Sequence, residues 1–232
     1  MDADLLDAVS SGDRKALSRA ITLVESGSRL ADVEFEHPIV GITGPPGVGK
    51  STLISSLITH LRAGGETVAV LAVDPSSPIT GGAILGDRIR MQDHIGDDGV
   101  YVRSMATRGH LGGLAEAAKD ALTLMAVAGF DRLIVETVGV GQSEVEVMNV
   151  ADHVVLVVGP SWGDQVQADK AGIVEIADLF VINKADRPGV DDVKRALREA
   201  AGARGAEILV TTATTGEGVA AIIEVVDRLA SS

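Results

Sequence analysis

Apolar and polar positions divide most of the chain into short apolar runs separated by amphipathic segments. Seven runs are rich in Val, Ile and Leu and lack a regular polar alternation: 40–43, 68–73, 100–103, 133–136, 153–158, 179–183 and 207–211. Runs of this kind are typical of strands buried on both faces, as in parallel sheets. Helical periodicity is clearest in 114–127, 191–201 and 219–229. The alternation predicts an α/β fold, with helices packed on a mostly parallel central sheet.

Residues 1–36 precede the first predicted strand and have the pattern of two short helices. A break at 11–13 separates them, and Asp13 is a suitable cap for the second helix. Apolar residues share one face of each helix: Leu5, Leu6 and Val9 in the first, and Leu17, Ile21 and Val24 in the second. We expect these faces to pack on the α/β body. We therefore divide the chain into an N-terminal helical extension, 1–36, and a main domain, 37–232.

The segment after the first predicted strand has the spacing G-x-x-x-x-G-K-S, and an apolar helical stripe follows it. Glycines here let backbone N–H groups turn towards an anion, and the helix adds the partial positive charge of its N-terminus. Lys50 is expected to reach the β- and γ-phosphates of a nucleotide, and Ser51 to bind Mg²⁺. A Gly/Pro-rich surface turn is the alternative, which the flanking strand and helix disfavour. The predicted phosphate site comprises Gly44, Pro45, Pro46, Gly47, Val48, Gly49, Lys50, Ser51 and Thr52.

A second motif, Asn183-Lys184-Ala185-Asp186, lies at the end of the sixth apolar run. The carboxylate of Asp186 is able to accept hydrogen bonds from both N1–H and the 2-amino group of guanine, a pair of donors that adenine lacks. A site that hydrogen-bonds a polar edge rejects a ligand without it by up to about 10⁴–10⁵-fold. We expect Lys184 to pack its stem over the base, and Asn183 to belong to the same site. The bound nucleotide is therefore predicted to be GTP or GDP.

Thr212 and Ala213 follow the seventh apolar run and are further candidates for contacts with guanine. GTPases place a short Ser-Ala loop against the base at this point, and here Thr stands where Ser is usual. A plain turn between a strand and a helix explains the segment almost as well.

Three carboxylates near the ends of apolar runs are candidate ligands of the same Mg²⁺ ion, which prefers hard oxygen donors. Asp74 and Glu136 each follow a buried run, and we expect them to contact the metal or its water. Asp87 follows a segment rich in Pro, Ser and Gly, and the capping of a helix at 88–94 explains it equally well. The predicted metal ligands are Ser51, Asp74, Asp87 and Glu136.

Glycines at 139 and 141 give the backbone after Glu136 the freedom to approach a γ-phosphate and to move once it leaves. Gln142 is a candidate for orienting the attacking water, and Arg108 for neutralising developing charge. Ordinary loop polarity explains both residues at least as well. The five histidines show no paired spacing, so none is assigned to a metal. The predicted catalytic residues are Lys50, Asp87, Glu136, Gln142 and Arg108.

Composition narrows the classes of partner. The 232-residue chain has a net charge of −13, which disfavours nucleic acid and anionic membrane surfaces, because binding them requires clustered Lys and Arg. It contains no cysteine, and therefore neither a disulfide framework nor a thiolate metal site. Its first residues are acidic, and its longest apolar run, 121–130, is too short to span a bilayer. We therefore expect a soluble, cytoplasmic protein.

Taken together, the motifs resemble those of the MeaB/ArgK GTPases, relatives of the human methylmalonic aciduria type A protein. The resemblance runs from about residue 5 to residue 186 and includes the opening helices, at 12–17 and 20–25. It is carried by 44–51 (GPPGVGKS), 73–78 (VDPSSP), 86–91 (GDRIRM), 104–109 (SMATRG), 111–114 (LGGL), 136–144 (ETVGVGQSE) and 183–186 (NKAD). It implies a three-layer P-loop NTPase fold with a short N-terminal helical extension, 37–232 being the GTPase (G) domain.

The resemblance also implies a function. Such proteins bind and hydrolyse GTP and act as chaperones of adenosylcobalamin-dependent acyl-CoA mutases, gating cofactor loading and protecting the mutase. In the family the four predicted metal ligands correspond to the Mg²⁺ region, and residues 163–167 with Lys170 match a switch that responds to the mutase. Relatives carry a C-terminal arm that helps to form a dimer, whereas this sequence ends after its last predicted helix. We expect either a compact variant or a homodimer formed through the G domain.

Two alternative functions and one unassigned residue complete the sequence predictions. A metallochaperone GTPase for metalloenzyme maturation would need a Cys/His site, and no ligand spacing of that kind is present. A transport-linked ATPase or kinase is disfavoured by the motif at 183–186, which selects guanine. Trp162, the sole tryptophan, stands where relatives tend to have a small residue. A contact with a partner and a cap on the sheet end explain it equally well.

Overall fold

The computed structural model describes residues 1–30, 37–75, 94, 96–107, 111–137, 142–162, 173–201 and 206–231. Within these residues, seven strands form one sheet in the order β3-β2-β4-β1-β5-β6-β7, and every neighbouring pair is parallel. The strands are β1 (Ile39–Thr43), β2 (Val68–Pro75), β3 (Val100–Thr107), β4 (Arg132–Thr137), β5 (His153–Val158), β6 (Leu179–Asn183) and β7 (Glu207–Thr211).

The predicted parallel α/β fold is confirmed, and most strand bounds agree with the apolar runs. β5, β6 and β7 have the predicted bounds. β2 and β3 extend further than predicted, because they stay paired as far as Pro75 and Thr107. Strand pairing joins backbone groups and continues where the side chains are no longer apolar. The run of apolar residues therefore gave a shorter strand than the hydrogen bonds do.

The helices lie before, between and after these strands. Asp13 caps the second helix as predicted, since its carboxylate accepts hydrogen bonds from the N–H groups of Lys15 (2.8 Å) and Ala16 (3.1 Å). The helices are α1 (Ala3–Ser10), α2 (Arg14–Glu25), α3 (Lys50–Ala63), α4 (Leu111–Val127), α5 (Gln142–Met148), α6 (Ile173–Ile176), α7 (Val190–Ala201) and α8 (Val219–Ala230).

Two buried apolar clusters cover the two faces of the sheet and make three layers. Successive residues of a strand point to opposite faces. In β2 this divides Leu71 and Val73 on one face from Val68 and Val70 on the other. Helices α1, α2, α4 and α7 contribute to the first cluster, and α3 and α8 to the second. The strands are buried on both faces, as their uninterrupted apolar sequences predict.

The N-terminal helices pack on the body of the fold, as their apolar faces predict. Leu17 and Ile21 of α2 are buried in the same cluster as Leu122 and Met125 of α4. α1 in turn packs on α2. Within the described ranges, no helix is both long enough and apolar enough to cross a membrane.

Candidate nucleotide-binding site

The predicted motifs meet at one edge of the sheet, where the parallel strands end. β1 lies between β4 and β5, and its carboxyl end leads into the phosphate loop at 44–49. β6 leads into the motif at 183–186, and β7 into the segment at 211–213. In open parallel sheets, ligands bind at this edge. The strand order therefore brings together segments that are distant in sequence.

The phosphate loop is shaped by glycines that no other residue replaces without strain. Gly44 has φ +145°, and a Cβ atom there would lie 2.0 Å from the carbonyl oxygen of Val157 in β5. Gly49, the N-cap of α3, has φ +95°, and its Cβ would lie 2.6 Å from Nδ2 of Asn183. Both positions need positive φ and a close backbone approach, which favour glycine. The loop thus lies tightly against β5 and the end of β6.

Lys50 and Ser51 begin α3 beneath this loop, and both are buried. The Nζ of Lys50 donates to the carbonyl oxygens of Gly44 (2.7 Å) and Pro45 (3.2 Å), so the side chain reaches back across the loop. This places an ammonium group at the rim of the loop and at the N-terminus of α3, where the helix dipole also favours an anion. The arrangement is suited to binding phosphate.

Ser51 and Glu136 are brought together across 85 residues of sequence. The hydroxyl of Ser51 donates to Oε1 of Glu136 at 3.1 Å, and the two residues are 2% and 1% exposed. A hydroxyl and a carboxylate are hard oxygen donors of the kind that Mg²⁺ prefers. These two members of the predicted metal set therefore fit a Mg²⁺ ion at the mouth of the loop.

Asn183 fastens three parts of the site to one another. Its Nδ2 donates to the carbonyl oxygen of Val48 in the phosphate loop, at 2.9 Å. Its Oδ1 accepts from the backbone N–H of Ala213 (3.0 Å) and from the hydroxyl of Thr211 (3.2 Å). A buried amide that uses both ends in this way fixes the relative positions of the loops it joins. The motif at 183–186 predicts that Asn183 belongs to the site, but not that it joins these three segments.

The rest of the motif at 183–186 lies at the open side of the site. Lys184 has φ +63°, and its Nζ donates to the carbonyl oxygen of Gly47. Its stem thus extends from the end of β6 to the phosphate loop. Asp186 follows on the surface, with an exposed side chain. Ala185 N–H donates to Thr211 O at 3.0 Å, which ties the motif to β7.

The remaining predicted contacts occupy the margins of the site. Thr212 and Ala213 are buried in the turn after β7, where the N–H of Thr212 donates to Glu217 O at 3.0 Å. Val48 is buried within the phosphate loop, whereas Pro46 and Thr52 are exposed.

Several predictions fall outside the described part of the chain. Asp87 and Arg108 lie there, as do residues 138–141 and 163–172. Asp74 belongs to β2 and Gln142 to α5, and the structure describes only the backbone at these two positions. The proposed roles of these residues remain predictions.

One buried contact beside the site was missed by sequence analysis. Thr43 ends β1, Thr137 ends β4, and the hydroxyl of Thr137 donates to that of Thr43 at 3.0 Å. The sequence signal is slight, since Thr43 ends the first predicted strand, 40–43, and Thr137 directly follows the fourth, 133–136. The pairing of β1 with β4 is needed to connect them.

Comparison with known proteins gives the same assignment as the site. The family described as "Methylmalonyl Co-A mutase-associated GTPase MeaB" matches residues 17–232. A protein of Pyrococcus horikoshii named as a GTPase is 50% identical over 234 residues, covering 93% of this chain and 74% of that protein. The GTPase ArgK of Escherichia coli is 42% identical over 196 residues, covering 79% of this chain and 59% of that protein. The chain thus spans only part of the length of each relative.

A solved structure supports the fold independently. The crystal structure of a LAO/AO transport system kinase superposes with a TM-score of 0.73 at 27% identity, covering 99% of this chain and 74% of that one. The match extends over the strands that carry the site as well as over the N-terminal helices. The chain therefore belongs to the MeaB family of P-loop GTPases.

Proposed function

We propose that this protein is a GTP-dependent switch that acts as a chaperone for an adenosylcobalamin-dependent acyl-CoA mutase. The observation that carries the nucleotide part is the double role of Asn183, which joins the phosphate loop to the loop after β7. Asn183 thus joins the segment that we propose binds phosphate to the motif that we propose selects guanine. The description of the family, which names a methylmalonyl-CoA mutase, supports the choice of client.

We assign the phosphate end of the site to residues 44–52. Lys50 would bind the β- and γ-phosphates after leaving the carbonyl oxygens of Gly44 and Pro45, which it contacts here. Ser51 and Glu136 would hold Mg²⁺, and Asp74 and Asp87 are proposed as further ligands. When bound, the ion neutralises charge that develops on the phosphate oxygens. Arg108 and Gln142 are kept as candidates for stabilising that charge and for positioning water.

We assign guanine recognition to the opposite end. The carboxylate of Asp186 is exposed, and so is accessible to the N1–H and 2-amino groups of the base. Lys184 spans from the end of β6 to the carbonyl oxygen of Gly47, and we propose that its aliphatic stem packs against the base. Thr212 and Ala213, held by Asn183, are proposed to complete the base site.

Substitution of Asp186 by Asn tests the guanine assignment. We expect Asp186→Asn to lose affinity for GTP by at least about 10²-fold, because its amide nitrogen faces two donors. The same variant should gain affinity for xanthosine triphosphate, whose base offers an oxygen in place of the 2-amino group. Asp191→Asn, which removes an exposed carboxylate from α7, is the matched control. Unchanged GTP affinity in Asp186→Asn contradicts the assignment.

GTP turnover in the presence of a mutase tests the chaperone assignment. We expect slow turnover by the protein alone, on the order of 10⁻⁴ to 10⁻² s⁻¹, as for switches that await a partner. An adenosylcobalamin-dependent acyl-CoA mutase should raise the rate at least about tenfold, or about 1.4 kcal/mol in the barrier. Lys50→Ala should abolish both rates. Turnover that no such mutase changes would keep the GTPase and contradict the chaperone role.

The wider proposal includes assembly and location. A homodimer formed through the G domain and a cytoplasmic location remain parts of it, the latter favoured by the absence of cysteine from the sequence. Sedimentation of the protein with GDP and with a slowly hydrolysed GTP analogue would measure the oligomeric state.

A further inference from the structure

The last two residues of β4 are attached to the phosphate loop on opposite faces of the sheet. Glu136 accepts a hydrogen bond from Ser51, which lies after the loop in the first turn of α3. Thr137 donates to Thr43, the last residue of β1 before the loop. Consecutive residues of a strand point to opposite faces, so the two bonds lie on either side of β4. The end of β4 is thereby fastened to both the entry and the exit of the loop.

The contact between the two threonines is shielded from solvent. Thr43 is 0% exposed and Thr137 is 1% exposed, and their hydroxyl oxygens are 3.0 Å apart. A hydrogen bond between buried hydroxyls is directional, whereas a pair of valines of the same shape would pack without fixing the angle between the strand ends.

The consequence concerns the carboxylate beside Thr137. Glu136 precedes Thr137 directly, so a change in the orientation of the end of β4 moves the carboxylate relative to Ser51. Metal ligands are held in place by groups that do not themselves touch the metal, and loss of such a group typically costs 10–100-fold in metal affinity or activity. The bond from Thr137 to Thr43 is placed to act in this way.

We propose that Thr137, through Thr43, is a positioning residue that holds the Glu136 carboxylate against Ser51 for Mg²⁺ binding with the nucleotide. The proposal rests on the Mg²⁺ site assigned under the proposed function. It adds a pair of residues to which the proposed function assigns no contact with the nucleotide or the metal. Thr43 takes part in a further interaction, so Thr137 is the better position for the main substitution.

The test measures the release of a fluorescent GDP, N-methylanthraniloyl-GDP, with excess Mg²⁺ and with EDTA. If Mg²⁺ binds with GDP as proposed, we expect it to slow the release of GDP. The Mg²⁺ factor is the release rate in EDTA divided by the rate in excess Mg²⁺, and it reports how well the metal ligands are placed. We expect Thr137→Val to reduce this factor about tenfold, while the rate in EDTA stays within about twofold of the wild-type rate. Thr137→Ser, which keeps the hydroxyl, should retain most of the factor. GTP turnover by Thr137→Val should also need a higher Mg²⁺ concentration for half of its maximal rate.

Two controls separate positioning from loss of structure. Thr123→Val removes another buried threonine hydroxyl, which donates to Lys119 O at 2.9 Å within α4. Thr123 belongs to none of the segments assigned to the site, so its substitution should leave the Mg²⁺ factor unchanged. The double variant Thr43→Val/Thr137→Val removes both hydroxyl groups of the pair, and with them the further interaction of Thr43. Valine keeps the shape of each side chain, so we expect the ends of the two strands to stay packed. Its Mg²⁺ factor should nevertheless remain low.

The outcomes distinguish this inference from the function on which it rests. A wild-type protein whose GDP release ignores Mg²⁺ contradicts the metal assignment, and the positioning role with it. A normal Mg²⁺ factor in Thr137→Val contradicts the positioning role alone. So does an equal loss in Thr137→Val and Thr137→Ser, which would show that keeping the hydroxyl does not preserve the Mg²⁺ factor.

Discussion

Gly44 shows how one residue shapes the phosphate loop. Its positive φ alone favours glycine, but the closer constraint is the carbonyl oxygen of Val157, which occupies the place of a Cβ atom. The spacing G-x-x-x-x-G-K-S of the loop predicted the glycine from sequence. The collision partner, on a strand more than 100 residues later, becomes visible only when β5 lies beside β1.

Substitution of Gly44 separates backbone strain from this collision. We expect Gly44→Ala to lower the free energy of unfolding by more than about 2 kcal/mol, because left-handed strain of about 1–2 kcal/mol is joined by overpacking of about 1–3 kcal/mol. Gly65→Ala is the control, since Gly65 has φ +86° and no atom within 4 Å of a Cβ. It should cost about 1–2 kcal/mol from strain alone. Equal losses in urea denaturation would contradict the steric argument.

At the scale of elements, α2 is tied to β3, the strand at one edge of the sheet. Ser18 and Tyr101 are joined by their hydroxyl groups at 3.0 Å. Arg103 donates to the carboxylate of Glu25 at 2.6 Å and to the hydroxyl of Thr22 at 3.1 Å. The apolar face of α2 was predicted from sequence, but these polar partners were not, because helical spacing says nothing about which strand lies alongside.

Removal of the Glu25 carboxylate tests how much the ion pair with Arg103 contributes to the free energy of unfolding. The side chains of Arg103 and Glu25 are 23% and 14% exposed, so water screens their ion pair only in part. We expect Glu25→Ala to lower the free energy of unfolding by about 1–2 kcal/mol, less than for a fully buried pair. Glu116→Ala, which removes a carboxylate paired with Arg29 at 57–60% exposure, should cost at most about 1 kcal/mol. Similar losses in the two variants would show that the ion pair between α2 and β3 stabilises the fold no more than an exposed ion pair does.

At the scale of the whole molecule, acidic side chains fasten the loops at the amino-terminal side of the sheet. Asp97 accepts hydrogen bonds from Arg62 and from the N–H of Gly99, and these contacts lower its pKa, the bond to Arg62 most strongly. Asp131 accepts from the N–H of Thr67 at 2.8 Å and from its hydroxyl at 2.7 Å, which lowers its pKa in the same way. Both groups link acid titration to folding.

This linkage predicts how stability responds to acid. A carboxyl whose pKa is lower in the folded state stabilises the protein at pH values above the ordinary pKa of that carboxyl, 3.8 here. This stabilisation is lost as the pH falls through the pKa of the folded state. Asp97→Asn and Asp131→Asn should therefore be less stable than the wild type at pH 7, by a gap that narrows below about pH 4. Comparing gaps removes the separate effect of relieving repulsion within a chain of net charge −13. A gap that stays constant from pH 7 to pH 3 in urea denaturation would contradict the linkage.

The sequence alone determined the class of fold, the strands, the phosphate loop and the preference for guanine. Apolar runs predict strands, and the spacing of Gly, Lys and Ser predicts a phosphate loop, because both depend on residues close together in the chain. β5, β6 and β7 accordingly agree with prediction to the residue.

Only the tertiary structure decided which of these residues meet. Ser51 contacts Glu136, Thr43 contacts Thr137, and Asn183 contacts Val48, across 85, 94 and 135 residues of sequence. Each contact depends on the strand order β3-β2-β4-β1-β5-β6-β7, which places β4 and β5 on either side of β1. Local patterns do not encode that order, because it follows from how all the helices and strands bury their apolar faces together.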